Sequence, residues 1–410
     1  MKKQWIAVLL AVLLTLAGCG SSDRPGTDLM EGVRARKVTA EPDMDRDSRA
    51  VADFGVRLLQ HCAQPGENTL VSPLSVLSAL AMTANGAEGE TLAQMEAVLG
   101  LPAEELNCFF YSFRKQLDDK DDNTLCLANG IWFNEDPSLT VEEAFLQTNA
   151  DCYGAELRRA PFDGTALEDI NGWVREATKG MIDQALDQIP PEAVMYLVNA
   201  LSFDGEWEDP YQSYQVSDGV FTTEDGQTQQ ADFLCSSESL YLEDGQATGF
   251  LKYYAGREYA FAALLPREGV TVEDYVNSLT GENLYELLVA PEETIVETVL
   301  PKFETSWALE LSEALRAMGM TDAFDVSAAD FSRLGSSQQG NIFLSRVLHK
   351  TVISVTETGT RAGAAAVVEA AAGAAPDPKT VRLDRPFVYL LMDCETGIPL
   401  FIGTMMNLNN

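Results

Sequence analysis

Residues 356–375 read TETGTRAGAAAVVEAAAGAA, and this run constrains the fold more than any other stretch of the chain. Nine of the fourteen residues from Ala362 to Ala375 are alanine, and the others are Gly363, Val367, Val368, Glu369 and Gly373. No large side chain follows Arg361 until Pro376 ends the run. Strand-like sequence flanks it on both sides. A long segment with almost no side-chain bulk can slot between two existing strands without clashing, which makes it a moving part rather than a connector. Alanine favours helix over strand on propensity alone, so the case for insertion is steric. The plain alternatives are an alanine-rich helix or a linker, but a structureless loop of this length inside a compact domain is usually functional or disordered.

The amino end has a different logic. Lys2 and Lys3 precede an apolar stretch from Trp5 to Ala17, too short to span a bilayer but right for the core of a signal peptide. It closes on LAGC at 16–19, which resembles a bacterial lipoprotein cleavage box with Cys19 as the lipidated first mature residue. Residues 1–18 are therefore expected to be a signal peptide and residues 19–46, polar and broken by Pro25, Gly26, Gly32 and Pro42, a lipid-anchored flexible tether. The expected location is the outer face of a bacterial cell membrane, with release to the medium as an option.

The formal charge is −35, and losing Lys2 and Lys3 with the signal peptide takes it to −37. Such a surface repels nucleic acid and polyanionic glycans, so activation by a heparin-type ligand is not expected. Six further cysteines, Cys62, Cys108, Cys126, Cys152, Cys235 and Cys394, show neither paired spacing nor histidine neighbours. They read as free thiols and exclude a zinc site by pattern.

Residues 47–410 read as one α+β domain, helix-rich early and strand-rich late, with no repeat and no second linker. Apolar periodicity predicts helices at 47–62, 74–84, 90–99, 104–117, 141–149, 166–178 and 309–318. Strands are predicted at 125–133, 194–203, 259–265, 294–303, 344–355 and 387–392. Catalytic motifs are missing: there is no G-x-S-x-G, no H-E-x-x-H and no phosphate-binding loop. Of the two histidines, His61 reads as a solvated residue near a helix C-terminus and His349 as a hydrogen-bonded core residue. The chain is not expected to be an enzyme or to need a cofactor or metal.

Several strings nevertheless resemble serpin signatures, in serpin order and spacing over residues 47–407. They are NTLVSPLS (68–75), NALSFDGEW (199–207), LPKF (300–303), VLHK (347–350) leading into TETGT (356–360), DRPF (384–387) and PLFIG (399–403). The resemblance implies a serpin fold of three β-sheets and eight or nine helices, with an exposed reactive-centre loop at about 357–380. It implies an inhibitor that a serine protease cuts, forming an acyl-enzyme, whereupon the freed loop inserts into the central sheet. Loop insertion of this kind releases strain stored in the native state.

On that resemblance Glu357, Thr358, Gly359 and Thr360 match the loop hinge, and Ala362, Ala364, Ala365 and Ala366 supply the small side chains that follow. Arg361 stands where the family usually has an acid or a small residue, and Gly363 interrupts the alanines. Ser72, Ser75, Asn199 and His349 match the shutter beneath the opening sheet, so His349 acquires a gating role. Trp207 matches the breach, where the loop first enters. Seventeen places from Glu357 put the residue before the scissile bond at Gly373, while counting back from 385–387 moves it later. Ala372, Gly373, Ala374 and Ala375 are therefore the reactive-bond candidates. All are small, which points to elastase-like or subtilisin-like targets trapped as a covalent complex by a monomeric inhibitor. The competing readings are a non-inhibitory serpin serving as a surface binding or structural protein, and a lipid-anchored hydrolase.

Overall fold

The computed structural model describes residues 26–39, 41–119, 125–189, 194–360 and 378–409. Residues 1–25, including Cys19, lie outside the described residues. Nine α-helices occur among the described residues: α1 (Met44–Cys62), α2 (Pro73–Ala84), α3 (Gly89–Leu99), α4 (Ala103–Asp119), α5 (Glu143–Tyr153), α6 (Gly164–Ala177), α7 (Val272–Ser278), α8 (Gly281–Val289) and α9 (Ser312–Met318).

Helix α2 is the structural hub. All twelve of its residues are buried, none is charged, and Pro73 occupies the first turn, where no donor is lost. Ser72 caps it by accepting a hydrogen bond from Ser75 N. Gly55 of α1 lets the Pro73 ring approach, because a Cβ there would come within 2.7 Å of Pro73 Cγ.

Four strands form one sheet in the order β1 (Thr27–Asp28), β5 (Glu156–Ala160), β3 (Leu125–Asn134), β6 (Met195–Phe203). Beside β6, without a shared ladder, lies β15 (Leu348–Val355), paired antiparallel with β13 (Phe303–Glu310). Above the end of β6, β7 (Gly205–Glu206) pairs with β16 (Gly359–Thr360). A third small pair joins β4 (Thr140–Val141) to β14 (Gly335–Ser336).

The remaining strands make a nine-stranded layer that holds the core. Its path is β17 (Lys379–Arg382), β12 (Glu292–Pro301), β9 (Thr228–Glu243), β10 (Ala247–Tyr253), β11 (Tyr259–Pro266), β18 (Phe387–Asp393), β19 (Pro399–Met405), β2 (Thr69–Val71), with β8 (Val216–Thr222) attached to β9. The sixteen-residue β9 pairs with β12, β10 and β8. β11, β18 and β19 are buried along their whole lengths, as expected of strands covered on both faces.

Several predicted boundaries shift; the strand predicted from residue 344, for one, begins at Leu348. Val141 belongs to β4, so the helix starts at Glu143 and runs on to Tyr153, where Gly154 (φ +57°) ends it in the left-handed conformation. Leu309 and Glu310 are strand residues paired with His349 and Leu348, and α9 begins only at Ser312.

The tether expectation is corrected in part. Thr27 and Asp28 pair antiparallel with Arg159 and Arg158 on β5, and Leu29 N donates to Leu157 O at 2.9 Å. Farther on, Arg36 N donates to Asp151 Oδ1 (2.6 Å) and Gln147 Nε2 to Arg34 O (2.9 Å). Leu29, Met30 and Val38 pack on the core, and α1 already begins at Met44. The segment is held because β5 would otherwise present an unpaired sheet edge, which β1 covers. A chain beginning at Glu41 should therefore melt lower than one beginning at residue 20. The expected drop is about 2–4 °C for each kcal/mol of hydrogen bonding and packing removed, and equal midpoints in a thermal scan would show that the segment adds nothing.

Candidate functional site

The site is the seam between β6 and β15. Two strands face each other there with no ladder between them, and hydrogen bonds from the head of α2 reach both. On one side, Ser72 N donates to His349 Nε2 at 2.9 Å. On the other, Ser75 Oγ donates to Asn199 Oδ1 in a short bond, and Asn199 Nδ2 donates in turn to Asn129 Oδ1. Ser78 Oγ also donates to Asn129 Oδ1 (2.9 Å), and Asn129 Nδ2 donates to Tyr153 O (3.1 Å). Thr351 Oγ1 completes the set by donating to Leu70 O at 3.0 Å.

Ser72, Ser75, Asn199 and His349 are thus brought together at the head of α2. Ser78, Asn129 and Thr351 belong with them and escaped the sequence reading. Asn129 sits directly opposite Asn199 in the β3–β6 register, so a polar residue repeated across predicted neighbouring strands was the available signal.

His349 is fully buried, and burial lowers its pKa from 6.5 to about 4. The geometry agrees, since Nε2 accepts from a backbone N–H and cannot be protonated while doing so.

The upper end of the seam is aromatic. Trp207 is buried and stacks on Tyr254, with ring centroids 4.4 Å apart. Trp207 N donates to Thr358 O (2.9 Å), Trp207 Nε1 to Thr356 O (2.9 Å) and Tyr211 N to Glu357 O (2.8 Å). Thr356 N closes the turn by donating to Gly359 O at 3.0 Å. Gly359 has φ +152°, and a Cβ on it would fall 2.2 Å from Gly205 O and 2.7 Å from Glu206 Cα. Only glycine fits a close approach of this kind.

Thr360 follows as a buried residue opposite Gly205, its Oγ1 hydrogen-bonded to Tyr254 Oη at 2.6 Å. The Glu357 carboxylate meets Lys302 Nζ at 2.8 Å, and the same ammonium meets Asp232 at 2.8 Å. The hydrogen bond from Lys302 holds the Glu357 carboxyl below the usual range, and its two acidic partners raise Lys302.

Thr360 at the head of the seam and β17 on the nine-stranded layer mark the two ends of residues 361–377. Ala362, Ala364, Ala365, Ala366, Ala372, Gly373, Ala374 and Ala375 all lie outside the described residues.

A cover crosses the seam lower down. Trp132, Trp173, Ile182, Leu186 and Val198 form a separate core cluster under α6 and the chain that follows it, and Leu348 and Val352 of β15 pack against that cluster. Lys350 Nζ donates to Gln184 O, so the cover grips β15 as well as β6. Among the described residues no group of side chains is arranged to hold a metal, the six cysteines are thiols rather than disulfides, and no helix is long and apolar enough to cross a membrane.

Comparison with known proteins agrees with this geometry. A family model described as Serpin (serine protease inhibitor) matches residues 49–408. Serpin-ZXA of Oryza sativa subsp. japonica is 31% identical over 385 residues, covering 86% of this chain and 95% of its own length. The native state of the thermophilic serpin tengpin is 43% identical and superposes with a TM-score of 0.89, covering 94% of this chain and all of that one. Tengpin in its latent state is 40% identical and superposes with a lower TM-score of 0.80, covering 91% of this chain and all of that one.

The buried histidine generates a pH prediction. A depressed histidine pKa means that the unfolded chain binds the extra proton, so stability is full above about 6.5 and falls as pH drops toward 4. The loss has an upper bound of about 3 kcal/mol. His349→Gln keeps an acceptor for Ser72 N and removes the titration. Its unfolding free energy should therefore fall less than that of the parent between pH 6.5 and pH 5, as read by urea titration, and parallel falls would show that His349 carries no linkage.

Proposed function

The chain belongs to the serpin family, and we propose that it is an inhibitory member that traps serine proteases as a suicide substrate. Family membership supports protease-inhibitor-type function rather than enzymatic turnover. The observation that carries the inhibitory reading is the hinge. Gly359 and Thr360 are already strand-paired with β7, antiparallel, at the head of a seam whose two sides share no ladder. Residues beyond Thr360 need only continue that strand downward between β6 and β15.

In the proposed sequence the protease serine Oγ attacks the carbonyl carbon at one of Ala372, Gly373, Ala374 or Ala375. The peptide C–N bond breaks, the new amino terminus takes a proton and departs, and an ester links the loop to the protease. The freed strand then enters the seam. Residues 360–373 laid out as strand span about 45 Å, so the ester, with the protease attached, is carried toward the far end of the sheet. Displacement of this size distorts the protease before water completes hydrolysis. Ala362, Ala364, Ala365 and Ala366 lower the steric cost of entry.

The small residues around the candidate bonds suit the shallow primary pocket of elastase-like or subtilisin-like proteases. We place the inhibitor outside the cell, held by lipid on Cys19 at the outer face of a bacterial membrane or shed from it, and acting as a monomer.

Incubation with elastase or subtilisin should give an SDS-stable complex at near-equimolar ratio, with trypsin giving none, and the loop-cleaved protein should melt higher than the intact one. A complex with trypsin but not elastase overturns the assigned specificity. Loop cleavage with neither complex nor a rise in melting temperature overturns inhibition in favour of a non-inhibitory binding role. Continued turnover of substrate with the protein unconsumed would make it a hydrolase.

A further inference from the structure

Beneath the hinge lies a buried charge pair to which nothing above assigns a role. Lys252, on β10, is 2% exposed, and its Nζ lies 2.8 Å from Glu238 Oε1 on β9. A buried ammonium is costly unless it is paired and further satisfied. Here the remaining shell is aromatic: Nζ stands 4.6 Å from the centroid of the Tyr211 ring and 5.6 Å from that of Trp207. Both distances fall within cation–π range, where a desolvated cation gains most. Glu238 in turn accepts from Ser236 Oγ at 2.5 Å, and Ser236 Oγ also contacts Tyr211 Oη (3.3 Å) and Thr298 Oγ1 (2.8 Å).

Trp207 and Tyr211 are the residues whose N–H groups hold the carbonyls of Thr356, Glu357 and Thr358. A single cation thus touches both members of the clamp from below while the clamp grips the hinge from above. We propose that Lys252 and Glu238 are a positioning pair for this clamp, fixing where Trp207 and Tyr211 stand and so holding Gly359 and Thr360 in the strand register from which insertion starts. Neither residue contacts the loop or an attacking protease. Their effect passes through the two aromatic residues.

The inference rests on the hinge being the starting point of insertion, but its test needs no protease. Hydrogen–deuterium exchange of the full chain reads the amides of 207–211 and 356–360 directly. Lys252→Met keeps the length of the side chain and removes the cation, leaving Glu238 unpaired. Exchange in both segments should rise by about tenfold or more. Lys252→Arg, which keeps the cation over the rings, should hold exchange close to the parent. Leu106→Ala in α4, remote from the hinge, supplies a control of lowered global stability.

The proposal is overturned if Lys252→Met matches the parent, or if its exchange profile matches that of Leu106→Ala, since either makes the pair merely structural. Should Lys252→Met not fold, Glu238→Gln is read in the same way with the same two outcomes. Titration against elastase is run in parallel. Failure of the parent protein to form a complex removes the inhibitory reading and leaves the exchange result standing, whereas unchanged exchange beside normal inhibition removes only the role of the pair.

Discussion

Everything in this structure turns on the missing ladder between β6 and β15. A strand edge that faces another strand without bonding to it leaves backbone donors and acceptors ready for a partner, which is the hazard most folds cover or blunt. Here the gap is kept and is bridged by hydrogen bonds from the head of α2. Ser72 and Ser75 from the head of α2 hold His349 on one strand and Asn199 on the other. On the proposed inhibitory reading, that vacancy is where the alanine-rich segment would go, and the polar bridge would hold the two halves in register until it is filled.

The upper end of the seam shows how narrow the tolerance is. Gly359 passes so close to Gly205 and Glu206 that any side chain would strike backbone. Thr360 is small enough to be buried and polar enough to bond Tyr254. Glu357 is drawn toward Lys302 and stays half-exposed, while Gly359 and Thr360 of the same turn are buried. Hinge composition is therefore dictated residue by residue by the walls of the breach, and the strand pairing of only two residues is specified as tightly as a core position.

Much of this was legible in the sequence, for identifiable reasons. Helix α2 announced itself through Ser72 and Pro73 at its start and a run without charged residues, while the hinge was reached through family resemblance. Helices α7 and α8 were missed although Thr271 and Thr280 cap them, because seven and nine residues are too few for periodicity to show. The docking of residues 27–38 was missed because it depends on main-chain pairing to β5 and on scattered apolar contacts, and neither leaves a period. Lys252 lies in none of the predicted strands and nothing in the sequence singled it out. Its burial follows from Trp207, Tyr211 and Glu238 converging from elsewhere in the chain, a long-range fact that no local pattern carries. The shutter divided the same way: Ser72, Ser75, Asn199 and His349 were reached through family resemblance, while Asn129 needed the strand register.

On the proposed reading, laying a strand into the seam needs about 4.8 Å of extra separation, so links from α2 and β2 to one side or the other must break. Every one of those links has a side chain on at least one end. The His349 imidazole accepts from Ser72 N, the Thr351 hydroxyl donates to Leu70 O, and Ser75 and Ser78 donate to Asn199 and Asn129. Rotation about single bonds can release any of them without moving an element, so the polar bridge can open on either side. The packing is less even. The cover formed by α6 rests mainly on β3 and β6, and Leu348, Lys350 and Val352 reach it from β15. Widening the seam therefore parts the fewest contacts if the cover travels with β6.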